Sequence, residues 1–248
     1  MTIGDNWLIP DWPAPAGIRA ASTTRLGGVS VGPWASLNLG RHVGDDPQAV
    51  VTNRQILKQA LDLPAEPYWL NQVHGCRVTE VGDADTTADG SWSRRSSAVC
   101  VVMTADCLPI LLAHRQAQGV AAIHAGWRGL AAGVIEQGVQ AVGLPSSELM
   151  AWIGPAIGPQ AFQVGDEVRA AFVDSDARAA TAFRADGPGR WLADMISLAR
   201  QRLQRCGVDA IYGGHWCTWR EPDRFFSYRR DGHCGRLASL IWIEADRD

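Results

Sequence analysis

The sequence predicts a single α/β domain with mixed sheets flanked by helices. Short apolar runs, typical of strands covered on both faces, alternate along the chain with segments of helical spacing. Neither a repeat nor a low-complexity tract divides the 248 residues, and 46% of them are hydrophobic, which is enough for a substantial core. Strands and helices that are interspersed rather than segregated favour one domain over separate modules.

The first elements follow from capping and periodicity. Asp46 and Pro47 are the expected N-cap and first residue of a helix over 47–62, because apolar residues then recur at helical spacing. The two segments Pro67–Val73 and Arg77–Val81 are predicted to be extended. The polar stretch Gly82–Ser97 is predicted to be a loop that flanks a functional site.

The middle of the chain has the strongest strand patterns. Near-continuous apolar runs predict strands at Ala98–Thr104, Leu108–Ala113 and Val120–Ile123. Cys107 lies at the bend between the first two. A small-residue helix is predicted over Gly126–Val142, with its first N–H groups directed at an anion near His124.

The last third continues the alternation. A strand is expected at Leu149–Ile153, helices at Asp166–Val173 and Asp194–Cys206, and strands at Val208–Tyr212 and Leu237–Ile243. Residues 1–16 are treated as an N-terminal extension, so that residues 1–248 form one catalytic domain.

Composition excludes several classes of protein. With 23 Lys and Arg against 26 Asp and Glu, the net charge of −3 and the scattered basic residues argue against a nucleic-acid or membrane partner. Lys58 is the only lysine and lies outside the candidate site, so Schiff-base chemistry is not expected. Six cysteines without a C-x-x-C pair, and no leader or membrane span, predict a cytoplasmic protein. We expect a monomer that acts on a small molecule.

Three segments place a metal-ligand type where an apolar run ends: Asn71-Gln72-Val73-His74-Gly75, Thr104-Ala105-Asp106-Cys107-Leu108-Pro109 and His124-Ala125-Gly126-Trp127-Arg128-Gly129. If they converge, two imidazoles and one thiolate form a three-ligand zinc site whose fourth position is open, which is the pattern of a catalytic site. Taken singly, each residue also fits a plain role as a turn imidazole, a buried thiol or a satisfied core histidine.

Other histidines and cysteines give weaker signals. His215, Cys217 and His233 with Cys234 form a second, less favoured set of metal-ligand types in a Gly- and Trp-rich stretch. His42 and His114 have no partner nearby in the sequence and are predicted to face solvent.

Six ordered segments of the chain together form one pattern. They are Thr24-Arg25-Leu26-Gly27-Gly28-Val29-Ser30, Ser36-Leu37-Asn38-Leu39-Gly40, Asn71-Gln72-Val73-His74-Gly75, Thr104-Ala105-Asp106-Cys107, His124-Ala125-Gly126-Trp127-Arg128-Gly129 and Phe226-Ser227-Tyr228-Arg229-Arg230-Asp231-Gly232. These segments resemble the YfiH-like family, described as multicopper polyphenol oxidases with a laccase domain, as purine nucleoside phosphorylases and as peptidoglycan editing factor. The resemblance runs from about Ala20 to Ile243.

The resemblance implies a layered α-β-β-α domain with helices outside stacked sheets, distantly like the catalytic domain of cytotoxic necrotizing factor. It also implies a zinc ion bound by His74, Cys107 and His124. The resemblance also implies substrate contacts for three arginines and one asparagine of these six segments, namely Arg25, Asn38, Arg128 and Arg229. One departure is Cys234, where relatives usually have Thr before the glycine.

The function predicted from this resemblance is that of a zinc-dependent purine nucleoside enzyme. It would phosphorolyse adenosine, inosine, guanosine and methylthioadenosine and would deaminate adenosine to inosine. Zinc lowers the pKa of a bound water to about 7, which suits attack on the purine C6, and Arg25 is a candidate for holding phosphate. Asp106, beside a ligand, is a candidate outer-shell partner or proton carrier.

Two alternatives stay open at this point. The first is a copper-dependent, laccase-like polyphenol oxidase, although six histidines without an H-x-H pair are few for a multicopper site. The second is a hydrolase that edits a peptidoglycan precursor with a Cys107–His124 dyad. A thiolate that binds zinc is a poor free nucleophile, so the metal and dyad roles exclude each other.

Overall fold

The structure, a computed structural model, describes residues 6–245. Its strands are β1 (Trp7–Leu8), β2 (Ile18–Thr23), β3 (Val78–Glu80), β4 (Gly90–Ser93), β5 (Cys100–Thr104), β6 (Leu108–His114), β7 (Val120–Ala125), β8 (Leu149–Ile153), β9 (Gln163–Gly165), β10 (Phe183–Ala185), β11 (Arg190–Ala193), β12 (Ala210–Gly213) and β13 (Leu237–Ile243). Its α-helices are α1 (Pro47–Ala60), α2 (Trp127–Ala132), α3 (Val134–Val142), α4 (Asp166–Val173), α5 (Met195–Arg205) and α6 (Tyr228–Asp231).

The strands form three sheets. A four-stranded sheet has the order β1-β2-β13-β5, a six-stranded sheet has the order β12-β8-β6-β7-β4-β3, and a small antiparallel sheet has the order β10-β11-β9. The six-stranded sheet is mixed, because β3 runs parallel to β4 and β12 parallel to β8, while the pairs among β4, β6, β7 and β8 are antiparallel.

The packing of alternate side chains shows that these sheets lie in layers. On β13, Ala238, Leu240 and Trp242 pack in a cluster with Leu57 of α1, whereas Ile241 faces the six-stranded sheet. On β6 and β7, one set of alternate residues packs between the two sheets and the other set packs on α3 and α5. Because the side-chain period of a strand is two, each central strand joins two cores. The order helix, sheet, sheet, helix confirms the predicted α-β-β-α fold.

Several predicted elements are confirmed with small shifts at their ends. They are α1, α4 and α5 among the helices and β5, β6, β7, β8 and β13 among the strands. These elements have long apolar runs or clear caps, such as the Asp46 carboxylate that accepts a hydrogen bond from the backbone N–H of Gln48.

Other expectations were wrong. The predicted loop over 82–97 contains β4, which pairs with β7 inside the six-stranded sheet. The predicted helix over 126–142 is two helices, because Gly133 adopts a left-handed φ of 98° and ends α2 before α3 begins. The prediction that the segment 67–73 is extended is not contradicted: the segment pairs through isolated bridges at Tyr68 and Asn71 and forms no regular strand.

The strands that escaped prediction are too short to show a period or, in the case of β2, lack a run of large apolar residues. Strand β2 is rich in Ala, Ser and Thr, and β9, β10 and β11 have three or four residues each. Trp7 and Leu8, within the expected N-terminal extension, add an edge strand to β2, and residues 1–5 lie outside the described part of the chain. Across residues 6–245 no helix is long and apolar enough to cross a membrane.

Candidate metal centre

The sheet register brings two of the three predicted ligands together. Cys107 immediately precedes β6 and His124 lies near the end of β7, and these strands are antiparallel neighbours in which His124 pairs with Pro109. His74 comes from the loop before β3, where it adopts a left-handed φ of 59°. One ligand atom from each of the three residues lies within 4.8 Å of the others, and this is the one such His, Cys or carboxylate group found in residues 6–245.

A buried carboxylate, Asp89, joins two of these residues. Its Oδ1 accepts a hydrogen bond from His124 Nδ1 at 2.8 Å and another from the backbone N–H of His74 at 2.9 Å. Its Oδ2 accepts from the N–H of Gly75 at 2.7 Å. The contact through Nδ1 leaves the His124 Nε2 atom to face the cluster. Asp89 therefore orients one ligand and fixes the turn that presents another, which is the outer-shell role that metal-binding histidines require.

The charges of the cluster favour a thiolate. Burial alone would raise the pKa of Cys107, but the charge of His124 and hydrogen bonds from His124 and His74 lower it to about 6. Burial would lower the pKa of His124, but the Cys107 thiolate and Asp89 raise it to about 9. A thiolate is the form of cysteine that binds metal ions.

The space between the ligands also fits a metal site. A Cβ added at Gly126 would lie 2.6 Å from His74 Nδ1 and 3.2 Å from Cys107 Sγ, so only glycine leaves room there. Gly126 has φ −65° and ψ 159°, which any residue can adopt, so the requirement is one of space. A tetrahedral zinc ion keeps its ligand atoms about 3.5 Å apart, which side-chain adjustment can reach here. Two imidazoles and a thiolate suit zinc, and also a blue-copper ion.

The cluster opens into a cleft of about 520 Å³. Cys107, Trp127 and Tyr228 line both this cleft and a smaller adjoining pocket of about 130 Å³. The smaller pocket is mainly apolar, with Phe162 and Met195 in its wall. A ligand-bearing cluster at the junction of a polar cleft and an aromatic pocket is the usual form of a small-molecule site.

Asp106 turns away from the ligands. Its Oδ1 accepts a hydrogen bond from the Thr218 hydroxyl at 2.6 Å, and its Oδ2 accepts from the backbone N–H of Arg229, also at 2.6 Å. It adopts a φ of 91°, which is unusual for a residue other than glycine. The carboxylate thus ties the loop after β5 to α6, which positions Tyr228 and Arg229 at the smaller pocket.

The four predicted substrate contacts lie in different environments. Arg128 is exposed beside the cleft, with its guanidinium carbon 4.3 Å from the centre of the Trp127 ring. Arg229 lines the smaller pocket. Arg25, in contrast, donates to the carbonyls of Ala35 and Pro222 and does not line either cavity.

Asn38 is fully buried and its amide is used within the chain. Its Oδ1 accepts hydrogen bonds from the backbone N–H groups of Gly40 and Arg236, both at 2.9 Å, and its Nδ2 donates to the Asp45 carboxylate. These contacts fix the loop and hold the backbone of Arg236, which does line the cleft. Asn38 as a direct substrate contact stays a prediction that its burial does not favour.

One other expectation about a histidine was wrong. His114 does not face solvent, because it is 1% exposed and its Nε2 lies 2.8 Å from Glu148 Oε2. The second set of metal-ligand types, which the sequence favoured less, does not converge. His215 stacks on Trp216, and the Cys217 thiol accepts a hydrogen bond from the N–H of Gly158.

Sequence reasoning missed three residues of the site: Asp89, His42 and Arg236. Asp89 precedes a glycine in a polar stretch. This pattern indicates an exposed turn, and nothing in it indicates a buried carboxylate. The one weak signal in the sequence is the small apolar residue Ala88 before it, which the structure shows to be fully buried. His42 and Arg236 come from distant loops and have no local signal.

Comparison with known protein families and curated proteins agrees with this architecture. Residues 19–244 match the family described as multi-copper polyphenol oxidoreductase laccase. The chain is 54% identical over 240 residues to the purine nucleoside phosphorylase PA4543 of Pseudomonas aeruginosa, covering 96% of this chain and 98% of that protein. It is 52% identical over 239 residues to the purine nucleoside phosphorylase YfiH of Escherichia coli, covering 95% and 98%.

Solved structures share the fold. Protein NMB0706 of Neisseria meningitidis superposes with a TM-score of 0.93 at 50% identity, over 97% of this chain and all of that chain. YlmD from Geobacillus stearothermophilus superposes with a TM-score of 0.87 at 34% identity, over 97% of each chain. Similarity over the whole length extends to the sheets that position His74, Cys107 and His124.

Proposed function

The chain belongs to the YfiH-like family, whose family model has the laccase description, and on this premise we propose that it is a zinc-dependent enzyme that acts on purine nucleosides. The proposal comprises phosphorolysis of adenosine, inosine, guanosine and methylthioadenosine, and deamination of adenosine to inosine. The names of the curated relatives support the first activity. The chemistry of the site supports both.

The observation on which the proposal depends is the open ligand cluster. His74, Cys107 and His124 supply three ligand atoms, and a fourth protein ligand is not found within residues 6–245. A closed structural zinc site has four protein ligands, whereas a catalytic site keeps one position for water or substrate. Zinc, when bound, would supply a Lewis acid and an activated water at the junction of the two cavities.

The smaller pocket suits a purine base. Phe162, Trp127 and Tyr228 supply aromatic faces, and Arg229 is held at its edge by stacking on Phe162 and by donation to the carbonyl of Gln163. A base in this pocket would direct its ribose toward Cys107 and the larger cleft. The role of Asp106 is to hold Arg229, and its service as a proton carrier stays a prediction.

Two balanced reactions are then possible in one site. In phosphorolysis a phosphate oxygen forms a bond to the ribose C1′ while the C1′–N9 bond breaks, and the purine takes up a proton. In deamination, water adds to C6 of adenosine and ammonia leaves. Binding and orientation of the nucleoside are common to both reactions.

The decisive test is metal analysis followed by turnover. Protein purified without added metal should contain about one zinc ion per chain. The same preparation should release hypoxanthine from inosine only with phosphate present, and should form inosine from adenosine without phosphate. Several copper ions per chain with little zinc would contradict the proposal.

A second function is favoured by one observation. Cys107, His124 and Asp89 form a series of hydrogen bonds that resembles the Cys-His-Asn arrangement of thiol proteases, which suits an amide hydrolase in metal-free protein. If metal-free protein hydrolysed a peptidoglycan precursor and zinc inhibited it, this second function would replace the first.

The copper-oxidase alternative has less support. A multicopper site needs a further group of histidines, and residues 6–245 contain one convergent ligand group.

The proposal also includes a reducing compartment, the cytoplasm, because all six cysteines are free and the Cys107 thiolate must stay reduced to bind metal.

A further inference from the structure

The cleft of about 520 Å³ at the metal ligands has an unusual balance of charge. Its wall contains two arginines and three histidines and no carboxylate: His42, His74, His124, Arg128 and Arg236. The whole protein has an excess of acidic residues, so this distribution is local. The Cys107 thiolate in this wall is paired with His124, and the permanent charges beyond that pair are those of Arg128 and Arg236. A concave wall with charges of one sign concentrates ions of the opposite sign.

Arg236 has the geometry of an anion-binding group. It immediately precedes β13, and its Nη1 donates to the backbone carbonyls of Cys234 and Gly235. The structure shows no ion pair between Arg236 and a carboxylate among the described residues. Nη1 thus fixes the guanidinium, which also lies 5.8 Å from the centre of the Tyr228 ring, while Nε and Nη2 have no hydrogen-bond partner among the described residues. A guanidinium held in this way is suited to bind an oxyanion through two donors.

Two further arginines add to the positive potential at this point, and a histidine adds a neutral donor. Burial, with the nearby charges of Arg236 and Arg54, lowers the pKa of His42 and favours its neutral form, so His42 contributes hydrogen bonding rather than charge. Arg54 is itself partly buried, and its donors go to the Leu39 carbonyl and the Met103 sulfur rather than to a carboxylate. The side chain of Arg128, on the same cleft wall, has no hydrogen bond to the described residues and lies over Trp127.

The cleft continues beyond these residues. His42, Tyr228 and Arg236 also line a second chamber of about 620 Å³, whose wall includes Trp34 and His233. An anion at Arg236 would therefore lie between the chamber with the metal ligands and a chamber with room for a larger group. Both free phosphate and the phosphate of an ester are compatible with this position.

We propose that Arg236 and Arg128, with His42, form a subsite for a tetrahedral phosphate oxyanion beside the metal ligands. This inference rests on the proposed function only in taking phosphate as the co-substrate. It assigns the anion to Arg128, a predicted substrate contact, and to Arg236, which the sequence did not single out. It does not assign the anion to Arg25, which does not line the cleft and whose Nε and Nη1 donate to the carbonyls of Ala35 and Pro222.

The test is phosphate binding to the full-length protein as purified. Inorganic phosphate is titrated and followed by ³¹P NMR line width, in wild type and in Arg236→Gln, Arg128→Gln and Arg25→Ala. We expect the Kd for phosphate to rise about 10-fold to 100-fold in Arg236→Gln and less in Arg128→Gln, because charge-assisted bonds are lost. The metal content and the Kd for adenosine should stay within about 3-fold of wild type.

Arg115→Gln is the matched control. Arg115 follows β6 at the end opposite Cys107 and is exposed, so its loss removes the same charge away from the cleft. It should leave the Kd for phosphate unchanged. Because Arg236 also holds two backbone carbonyls, Arg128→Gln provides the test if Arg236→Gln does not fold.

A second arm separates the two sources of the oxyanion. If inorganic phosphate and adenosine bind together, the subsite serves free phosphate. If adenosine 5′-monophosphate binds more tightly than adenosine, by a factor that Arg236→Gln removes, and phosphate displaces it, the subsite serves an ester. Either result supports the subsite.

Unchanged phosphate and nucleotide binding in both arginine variants would overturn the inference, as would a loss confined to Arg25→Ala. Failure of the proposed function is distinguishable. Arginine-dependent phosphate binding without nucleoside cleavage would leave the subsite standing. Phosphate-dependent cleavage that is unaffected by either variant would overturn the subsite alone.

Discussion

The two ends of the β6–β7 hairpin contain the same pair of groups with different outcomes. At one end His124 Nδ1 lies 2.8 Å from an oxygen of Asp89, and at the other His114 Nε2 lies 2.8 Å from an oxygen of Glu148. Both imidazoles are buried. Only the first belongs to a cluster of metal-ligand types.

The difference lies in the second ring nitrogen. His114 Nδ1 accepts a hydrogen bond from the backbone N–H of Gln116 in the hairpin turn, and its Nε2 contacts Glu148, so both of its nitrogens are used. His124 contacts Asp89 through Nδ1, and its other nitrogen is left for Cys107 or a metal ion. What suits a buried histidine to bind a metal ion is therefore a ring nitrogen that no structural hydrogen bond uses. Burial or a carboxylate partner alone is not enough.

The carboxylates differ as well. The Asp89 side chain is 0% exposed and accepts hydrogen bonds from a turn and a ligand, whereas the Glu148 side chain is 47% exposed. Water can replace the hydrogen bond to Glu148 but cannot reach Asp89. We therefore expect substitutions at the two ends to affect different properties, metal binding at one end and stability at the other.

The largest contrast is expected between Cys107→Ala and His114→Gln. Cys107→Ala should reduce zinc from about one ion per chain to less than about 0.1 and leave the fold intact, because an open catalytic site contributes little to folding. His114→Gln should keep the zinc and lower the free energy of unfolding by about 1–3 kcal/mol through a disturbed buried hydrogen bond. Elemental analysis and urea unfolding measure both. Global unfolding of Cys107→Ala would instead indicate a structural metal.

The next contrast compares Asp89→Asn with Glu148→Gln. An asparagine amide has one acceptor oxygen, so it cannot accept from His124 and also from the N–H groups of both His74 and Gly75. We expect the affinity for zinc to fall about 10-fold to 100-fold in Asp89→Asn, and less than about 2-fold in Glu148→Gln. Competition with a chromophoric chelator measures both values. Equal zinc affinities in the two variants would show that Asp89 does not position the ligands.

The smallest contrast compares two glycines. In Gly126→Ala the added methyl group would lie against His74 Nδ1 and Cys107 Sγ, and we expect about a 5-fold to 10-fold loss of zinc affinity. In Gly119→Ala, at the other end of the hairpin, the methyl group would meet side-chain atoms of Leu144 and Val142 at 3.1 Å and of Arg94 at 3.7 Å, none of them a metal ligand. That variant should bind zinc as wild type does. The same chelator assay applies, and unchanged affinity in Gly126→Ala would mean that the ligands can move apart.

The sequence was sufficient for elements whose evidence is local. The cap at Asp46 fixed the start of α1, and the apolar runs around Cys107 identified β5 and β6, because caps and periodicity act within a few residues. The three ligand types were visible for the same reason, since each lies at the end of such a run. Convergence was a hypothesis until the antiparallel pairing of β6 with β7 brought Cys107 and His124 together.

What only the tertiary structure decided concerns partners that are distant along the chain. Asp89 is 35 residues from His124, and Asn38 is 198 residues from the backbone of Arg236 that it holds. The same separation explains why His114 and His124 could not be told apart in sequence: each follows an apolar run, and only folding shows which ring nitrogen is already bonded. A residue type determines which chemistry is possible, whereas the packing of remote strands determines which lone pairs and charges remain free to perform it.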